Sequence, residues 1–223
     1  PIFGRFRNLL LKNGLQEKLF AQVVAMLMER GLILKKGTIV DSTIISAPSS
    51  TKNKEKKRDP DAHQVKKGNT WHFGYKAHIG VDRDSGLVHT VEATAANVHD
   101  ATETSKLLTG DEDEVYGDSG YLGAEKRGDA IIRNKAGRKI KYRINRRPSQ
   151  VKKLSPSGQY AAKKAEHAKS SVRAKVEHAF GVVKKQLRFR KTRYRGLEKQ
   201  RAKFNIMFAL ANLILADRPC LAA

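Results

Sequence analysis

Asp41, Asp118 and Glu177 are the side chains whose settings point most directly to chemistry. Asp41 interrupts the β-branched run IVDSTI, where a strand interior disfavours aspartate. Asp118 closes YGD and is followed by the turn residues Ser119, Gly120 and Tyr121; in open α/β sheets, sites gather at the carboxyl ends of strands. Glu177 lies on the predicted helix SVRAKVEHAFGVVKKQLRF, where Val172, Val176, Ala179, Val183 and Leu187 make a core face. The adjoining stripe carries Arg173, Glu177, Gly181, Lys184 and Arg188. Taken singly, each acid has an ordinary reading as a strand-end cap or a helical ion-pair partner. Brought together, three carboxylates repel and do not all ionise cheaply. A divalent cation resolves the conflict, and an all-oxygen donor set favours Mg²⁺ or Mn²⁺. Two such ions ~3.5–4 Å apart support phosphoryl transfer.

Histidine offers a competing metal chemistry. His72 and His78 share parity on WHFGYKAHIGVD, and His99 follows before Asp100, but no recognised zinc-ligand spacing is present. Lys76 and His78 are expected to support the site or to contact phosphate. Trp71 is expected in the core, with base stacking as the alternative. His63, His72 and His99 receive no role.

The charge pattern names the partner. The 223 residues hold 45 Lys and Arg against 22 Asp and Glu. Residues 133–203 contain 25 of those basic residues and only three acids, Glu166, Glu177 and Glu198. A surface this basic destabilises itself unless a polyanion offsets it, and nucleic acid is the usual one. The lone cysteine, Cys220, excludes an intramolecular disulfide and a cysteine-based zinc cluster. No apolar run approaches the ~20 residues of a membrane span, and no signal peptide opens the chain, so an intracellular protein is expected.

The elements that must position these residues follow from periodicity. Residues 15–30 predict an amphipathic helix stopped at Gly31. Strands are predicted at 38–45, 71–82, 87–95, 114–118 and 138–144, with a DRDSG hairpin turn at Gly86. Helices are predicted at 100–109, with Asp100 as N-cap, at 122–134, at about 160–187 and at about 197–216. Residues 46–70 are polar and read as a long mobile loop. Hairpin strands followed by strands alternating with helices give a mixed five-stranded sheet flanked by helices, the order of a ribonuclease-H-like fold.

With these residues in view, the chain resembles the DDE transposases of the insertion-sequence-five family. The likeness rests on IVDSTI, RDPDAHQVKKGNTWHFGYKAHIGVD, ATAANVHD, VYGDSGYLG and RAKVEHAFGVVK, and spans about residues 1–216. It implies a ribonuclease-H-like fold, with two Mg²⁺ or Mn²⁺ ions held by Asp41, Asp118 and Glu177. It implies double-stranded DNA partners, at transposon ends and target, and allows a homodimer in the synaptic complex. Arg173 and Lys184 match the basic positions around the family's glutamate; Lys185 and Arg188, with Lys76 and His78, complete the expected DNA-contact set. Where related families place a tyrosine three residues before the arginine, this chain has Ser170. The implied reaction is hydrolysis at a transposon end, which frees a 3′-hydroxyl, followed by attack of that hydroxyl on target DNA. The expected location is the bacterial cytoplasm, at the nucleoid. Residues 1–34 read as the tail of a helical region that begins ahead of Pro1, and 35–216 as the catalytic domain, with its loop at 46–70 and its basic segment at 133–203. Two alternatives keep the residues and change the role: a metal-dependent nuclease without strand transfer, and a non-catalytic DNA-binding remnant.

Overall fold

The computed structural model describes residues 2–217, so Cys220 lies outside the described residues. Two helices open the chain, α1 (Ile2–Lys12) and α2 (Leu15–Glu29). Gly14 separates them with a φ of 60°, a left-handed conformation in which a side chain is strained. The predicted stop at Gly31 also holds, with a φ of 71°.

The sheet is built from β1 (Gly37–Ser46), β2 (His63–Lys67), β3 (Thr70–Asp82), β4 (Val88–Ala95), β5 (Glu114–Gly117) and β6 (Lys141–Ile144). Strands β1 and β4 each run antiparallel to β3, while β5 pairs parallel to β1 and β6 parallel to β5. The path β4-β3-β1-β5-β6 is the five-stranded mixed sheet expected, and the arrangement is consistent with a ribonuclease-H-like fold. The β3–β4 turn closes as its sequence predicts: Asp82 Oδ2 accepts from the backbone N–H groups of Asp84 and Ser85, at 3.1 and 2.9 Å.

Two predicted elements fail. Residues 46–70 are not a featureless loop. They contain β2, which adds a sixth strand by pairing with the outer end of β3, His63 opposite Gly74. Asp59 is buried and pins this segment, accepting from Tyr75 Oη at 2.5 Å and from Gly196 N at 3.2 Å. Asp61 accepts from Leu197 N at 2.9 Å, so the RDPDA run supplies carboxylates to the start of a helix whose own cap is glycine. The helix predicted at 122–134 is absent. Gly123 takes a φ of 87°, and only a short 3₁₀ turn, Ala124–Lys126, forms before irregular backbone. That stretch has no apolar stripe to reward a helix.

Helix α3 (Thr104–Leu107) is short and is preceded by a 3₁₀ turn, Asp100–Glu103, capped by His99 rather than Asp100. Helices α4 (Pro148–Lys152), α5 (Pro156–Gly181) and α6 (Leu197–Ala216) follow β6. Beyond Gly181, α5 runs into a π-helical turn, Val182–Gln186, in which Leu187 N donates to Val182 O at 2.9 Å.

Strand alternation divides the core. Ile39 and Ile45 of β1 face a large cluster that includes Phe20 and Leu27 of α2, Val176 and Ala179 of α5, and Phe204 and Phe208 of α6. Val40 faces a smaller cluster with Leu107, Val115, Tyr121 and Ile144. Helix α2 therefore shares the main core rather than standing apart from it. Trp71 is 65% exposed, against the expectation of a core tryptophan, because it opens β3 at the outer edge where only β2 covers it.

Candidate active site

The parallel register of β1 and β5 explains why two distant acids meet. Their last shared rung pairs Ile39 with Tyr116. Asp41 and Asp118 each lie two residues further along, on neighbouring strands about 4.8 Å apart. Period-two alternation turns both toward the face that carries Ile39 and Tyr116, which is the face α5 covers. Val176, Ala179 and Phe180 bury the inner stripe of α5, and Glu177 projects from the helix beside them.

The charges of the other two acids reach Asp41. Burial pushes the Asp41 carboxyl up to about 6, and the charges of Asp118 and Glu177 push in the same direction. The Ser42 N–H and the Arg173 guanidinium oppose them. Arg173 Nη2 lies 3.6 Å from Asp41 Oδ2, while Nη1 donates to Asn145 Oδ1 at 3.3 Å and buried Nε has no partner. Arg173 thus faces Asp41 directly. Asp118 is held by its own turn, its Oδ1 accepting from Gly120 N at 2.8 Å.

Helix α5 is fixed to the sheet by an anchor that sequence reasoning passed over. Glu166 accepts from Asn145 Nδ2 at 2.8 Å, Arg146 N at 3.0 Å and Lys169 Nζ at 2.6 Å. Lys169 also donates to Ile144 O at 2.9 Å. These bonds tie the end of β6 to the turns of α5 that precede Arg173 and Glu177. Asn145 N in turn donates to Gly117 O at 3.0 Å, next to Asp118. Glu166 stood out in the sequence only as one of three acids among many cations.

Asp100 is the second omission. Its Oδ1 accepts from Ser42 Oγ at 2.8 Å and from Lys76 Nζ at 2.9 Å. A Cβ built on Gly120 would lie 2.9 Å from Asp118 Oδ1 and 3.8 Å from Asp100 Oδ2, so a fourth carboxylate reaches the same turn. The buried Tyr121 hydroxyl reports the same crowding: burial first, then Asp41, Asp100 and Asp118, push it well above its ordinary range. In the sequence Asp100 reads only as the N-cap of a predicted helix.

The expectation that Lys76 and His78 touch DNA fails on burial. Lys76 is 8% exposed and spends its ammonium on Asp100 and on Val98 O, at 2.7 Å for the carbonyl. His78 is 0% exposed, bonds Thr94 Oγ1 at 2.8 Å, and is held down to about 4, chiefly by burial. Both brace the acid cluster from behind. Lys184, Lys185 and Arg188 lie beyond Glu177 on the π turn and just after it. Lys184 is lowered by burial and by the charges of Lys67 and Arg190, and raised by Glu177. It therefore stands between the acids and a group of cations, although the π turn takes it off the straight helical line that spacing alone implies.

Could the acids hold a metal? Among the described residues, no three His, Cys, Asp or Glu side chains are drawn close enough together to surround one ion. The donor chemistry nevertheless fits a hard divalent cation: the candidate groups are all carboxylates, and burial already disfavours a lone charge on Asp41.

A curled mixed sheet with acids at the carboxyl ends of two adjacent parallel strands, and a glutamate-bearing helix across them, is consistent with a ribonuclease-H-like fold. Residues 33–213 match the family described as the transposase DDE domain, and the chain belongs to that family. Membership makes it a transposase domain of the nuclease and transferase class, acting on DNA. No solved structure matches the chain. No helix among the described residues is long and apolar enough to cross a membrane.

Proposed function

We propose that this chain is the catalytic region of an insertion-sequence-five-type transposase, cutting DNA at element ends and joining them to target DNA, with Asp41, Asp118 and Glu177 as its catalytic acids. The observation that carries this reading is geometric: Asp41 and Asp118 stand at the shared end of the parallel strands β1 and β5, and α5, which bears Glu177, sets Arg173 3.6 Å from Asp41.

Asp41, Asp118 and Glu177 would hold Mg²⁺ or Mn²⁺, whose chemistry is to polarise phosphate oxygens and stabilise the leaving oxygen. Glu177 is exposed, so its side chain is free to swing toward the two strand-borne acids. Arg173, beside Asp41, balances carboxylate charge before substrate arrives and meets a phosphate oxygen afterwards. Asp100, clamped by Lys76 and Ser42, keeps Ser42 and hence the Asp41 backbone in place. Lys184, Lys185 and Arg188 continue the cationic track away from the acids, where the flanking phosphates of the bound strand would lie. Residues 1–34 would help to grip element ends, and two copies would meet in the synaptic complex.

Asp41→Ala, Asp118→Ala and Glu177→Ala should each abolish Mg²⁺-dependent cleavage of a labelled element end, yet retain salt-sensitive binding to DNA, because the cations that hold phosphate are separate from the acids. Unimpaired cleavage by any of the three would refute the assignment. An enzyme that cuts ends but never joins them to target DNA would instead be the nuclease alternative.

A further inference from the structure

Downstream of Glu177 the chain builds a second concavity, away from the acids. After the π turn, Arg188 adopts a φ of 52°, which swings the backbone off the helix axis. The next residues then extend the free edge of β1: Ser46 N donates to Arg190 O at 3.2 Å, and Thr192 N donates to Ser46 O at 2.7 Å. Helix α6 turns back beneath this strand-like segment. Between them lies a cleft of about 700 Å³, floored by Gln200, Lys203 and Met207 of α6 and walled by residues 187–194.

Three features of this cleft point to one kind of ligand. Its lining carries five cations, Arg188, Arg190, Lys191, Arg193 and Lys203, and no carboxylate. Lys203 is half-buried and lowered by that burial, with only Tyr194 pulling the other way. Such a cavity is short of negative charge. Two aromatic rings stand in it. Phe189 is fixed edge-on against Phe204, ring centres 6.0 Å apart, with the Lys203 ammonium 5.7 Å from its own centre. Tyr194 has one face clamped by the Arg7 guanidinium at 4.0 Å and keeps 39% of its surface exposed. Finally, Thr192 Oγ1 and Gln200 Oε1 are buried in the same lining without any hydrogen-bond partner. Unpaired buried polar atoms are costly and call for a partner.

Cations, an available aromatic ring and unpaired polar atoms together are what a nucleotide off the double helix requires: phosphate neutralised, base stacked, base edge hydrogen-bonded. We propose that this cleft holds an unpaired nucleotide of the bound DNA, its base against Tyr194 and its phosphate among Arg190 and Lys203. The inference rests on the reading that the chain processes DNA. Five residues of β1 separate Asp41 from Ser46, or roughly 17 Å at a rise of ~3.3 Å each. A strand crossing the acids would therefore reach the cleft within a few nucleotides of the cut.

The test compares three labelled oligonucleotides by anisotropy: a blunt duplex, the duplex with a four-nucleotide single-stranded overhang, and the same overhang built of abasic sites. The base-bearing overhang should bind at least about fivefold more tightly than the abasic one, the lower end of one base stacked on an aromatic ring. Tyr194→Ala should remove that preference while leaving blunt-duplex affinity and its salt slope unchanged, which also shows that the variant folds. Tyr194→Phe should keep the preference. Arg190→Ala should lower the salt slope for the two overhang ligands and leave that of the blunt duplex unchanged. Equal affinity for the base-bearing and abasic overhangs would overturn the proposal and leave the DNA-processing reading standing. Failure to bind even the blunt duplex would overturn both.

Discussion

Replacing Asp41 by asparagine should make the metal-free protein more stable at pH 8 while removing catalysis. The folded protein holds the Asp41 carboxyl at about 6, against an ordinary 3.8, mainly through burial. The folded state thus binds the Asp41 proton more tightly than the unfolded chain does. Ionising Asp41 therefore costs the folded state nothing below about pH 4, progressively more between pH 4 and 6, and the full amount above about pH 7. The difference corresponds to about 3 kcal/mol. Asparagine keeps the shape without the charge, and the attraction of Arg173, 3.6 Å away, is already contained in that difference, so the gain should be about 3 kcal/mol, or roughly 6–12 °C in Tm for a chain of this size. Urea or thermal unfolding in a chelator, for both proteins at pH 4 and pH 8, measures it. The gap between them should open as pH rises; titrating histidines are common to both proteins and cancel. Added Mg²⁺ should raise the Tm of the parent and not of the variant. An asparagine variant no more stable than the parent at pH 8, or a gap independent of pH, would show that Asp41 carries no such burden.

Three further outcomes are expected. Gly120→Ala places a methyl 2.9 Å from Asp118 Oδ1; cleavage should fall by about a hundredfold, as for a misplacement of about 1 Å, with Tm little changed, whereas undiminished cleavage would show that the position of Asp118 is not critical. His89, buried and held down to about 4 between Thr38 and Thr90, contributes stability that is complete above pH 6.5 and lost as pH falls toward 4, by about 3 kcal/mol; His89→Gln should flatten that loss in pH-dependent unfolding curves. Lys184→Ala should reduce the salt slope of duplex binding by about 0.9, one phosphate contact, and an unchanged slope would remove Lys184 from the strand path.

Much of the site was legible because its parts are local. Asp41 in a β-branched run and Asp118 at a strand end before a glycine turn are visible as oddities of type against context, and the core stripe of α5 fixes the direction of Glu177. The strands were legible for the same reason: period-two alternation writes itself into the sequence wherever one face is buried. What the sequence did not disclose depends on partners far along the chain. Residues 46–70 read as loop because β2 has exposed, polar side chains; its strand character comes from the edge of β3, and the pinning of Asp59 comes from Tyr75 and Gly196. The predicted helix at 122–134 was a propensity argument with no apolar stripe behind it, and Gly123 at positive φ decides against it.

Lys76, His78 and Asp100 show why residue type alone misassigns this kind of site. A lysine and a histidine near a DNA-processing centre invite phosphate, and an aspartate before a helical turn invites a cap. Both readings fail from one cause. Register sets Ser42 opposite His78, with Lys76 two residues earlier, on the same face of β3, and the turn after β4 delivers Asp100 to that point. A buried ammonium needs an anion close by, and Asp100 is the anion provided, at 2.9 Å. Once committed to Lys76 and Ser42, Asp100 cannot cap the turn, and His99 does so instead. The pair consumes its own charge behind the sheet, so the net charge facing Asp41 is set by Asp118, Glu177 and Arg173. The acids that face α5 thus stay short of cations, while the cations beyond the π turn stay short of acids. On the proposed reading, that separation would let one face draw a divalent ion while its neighbour draws the phosphates of DNA.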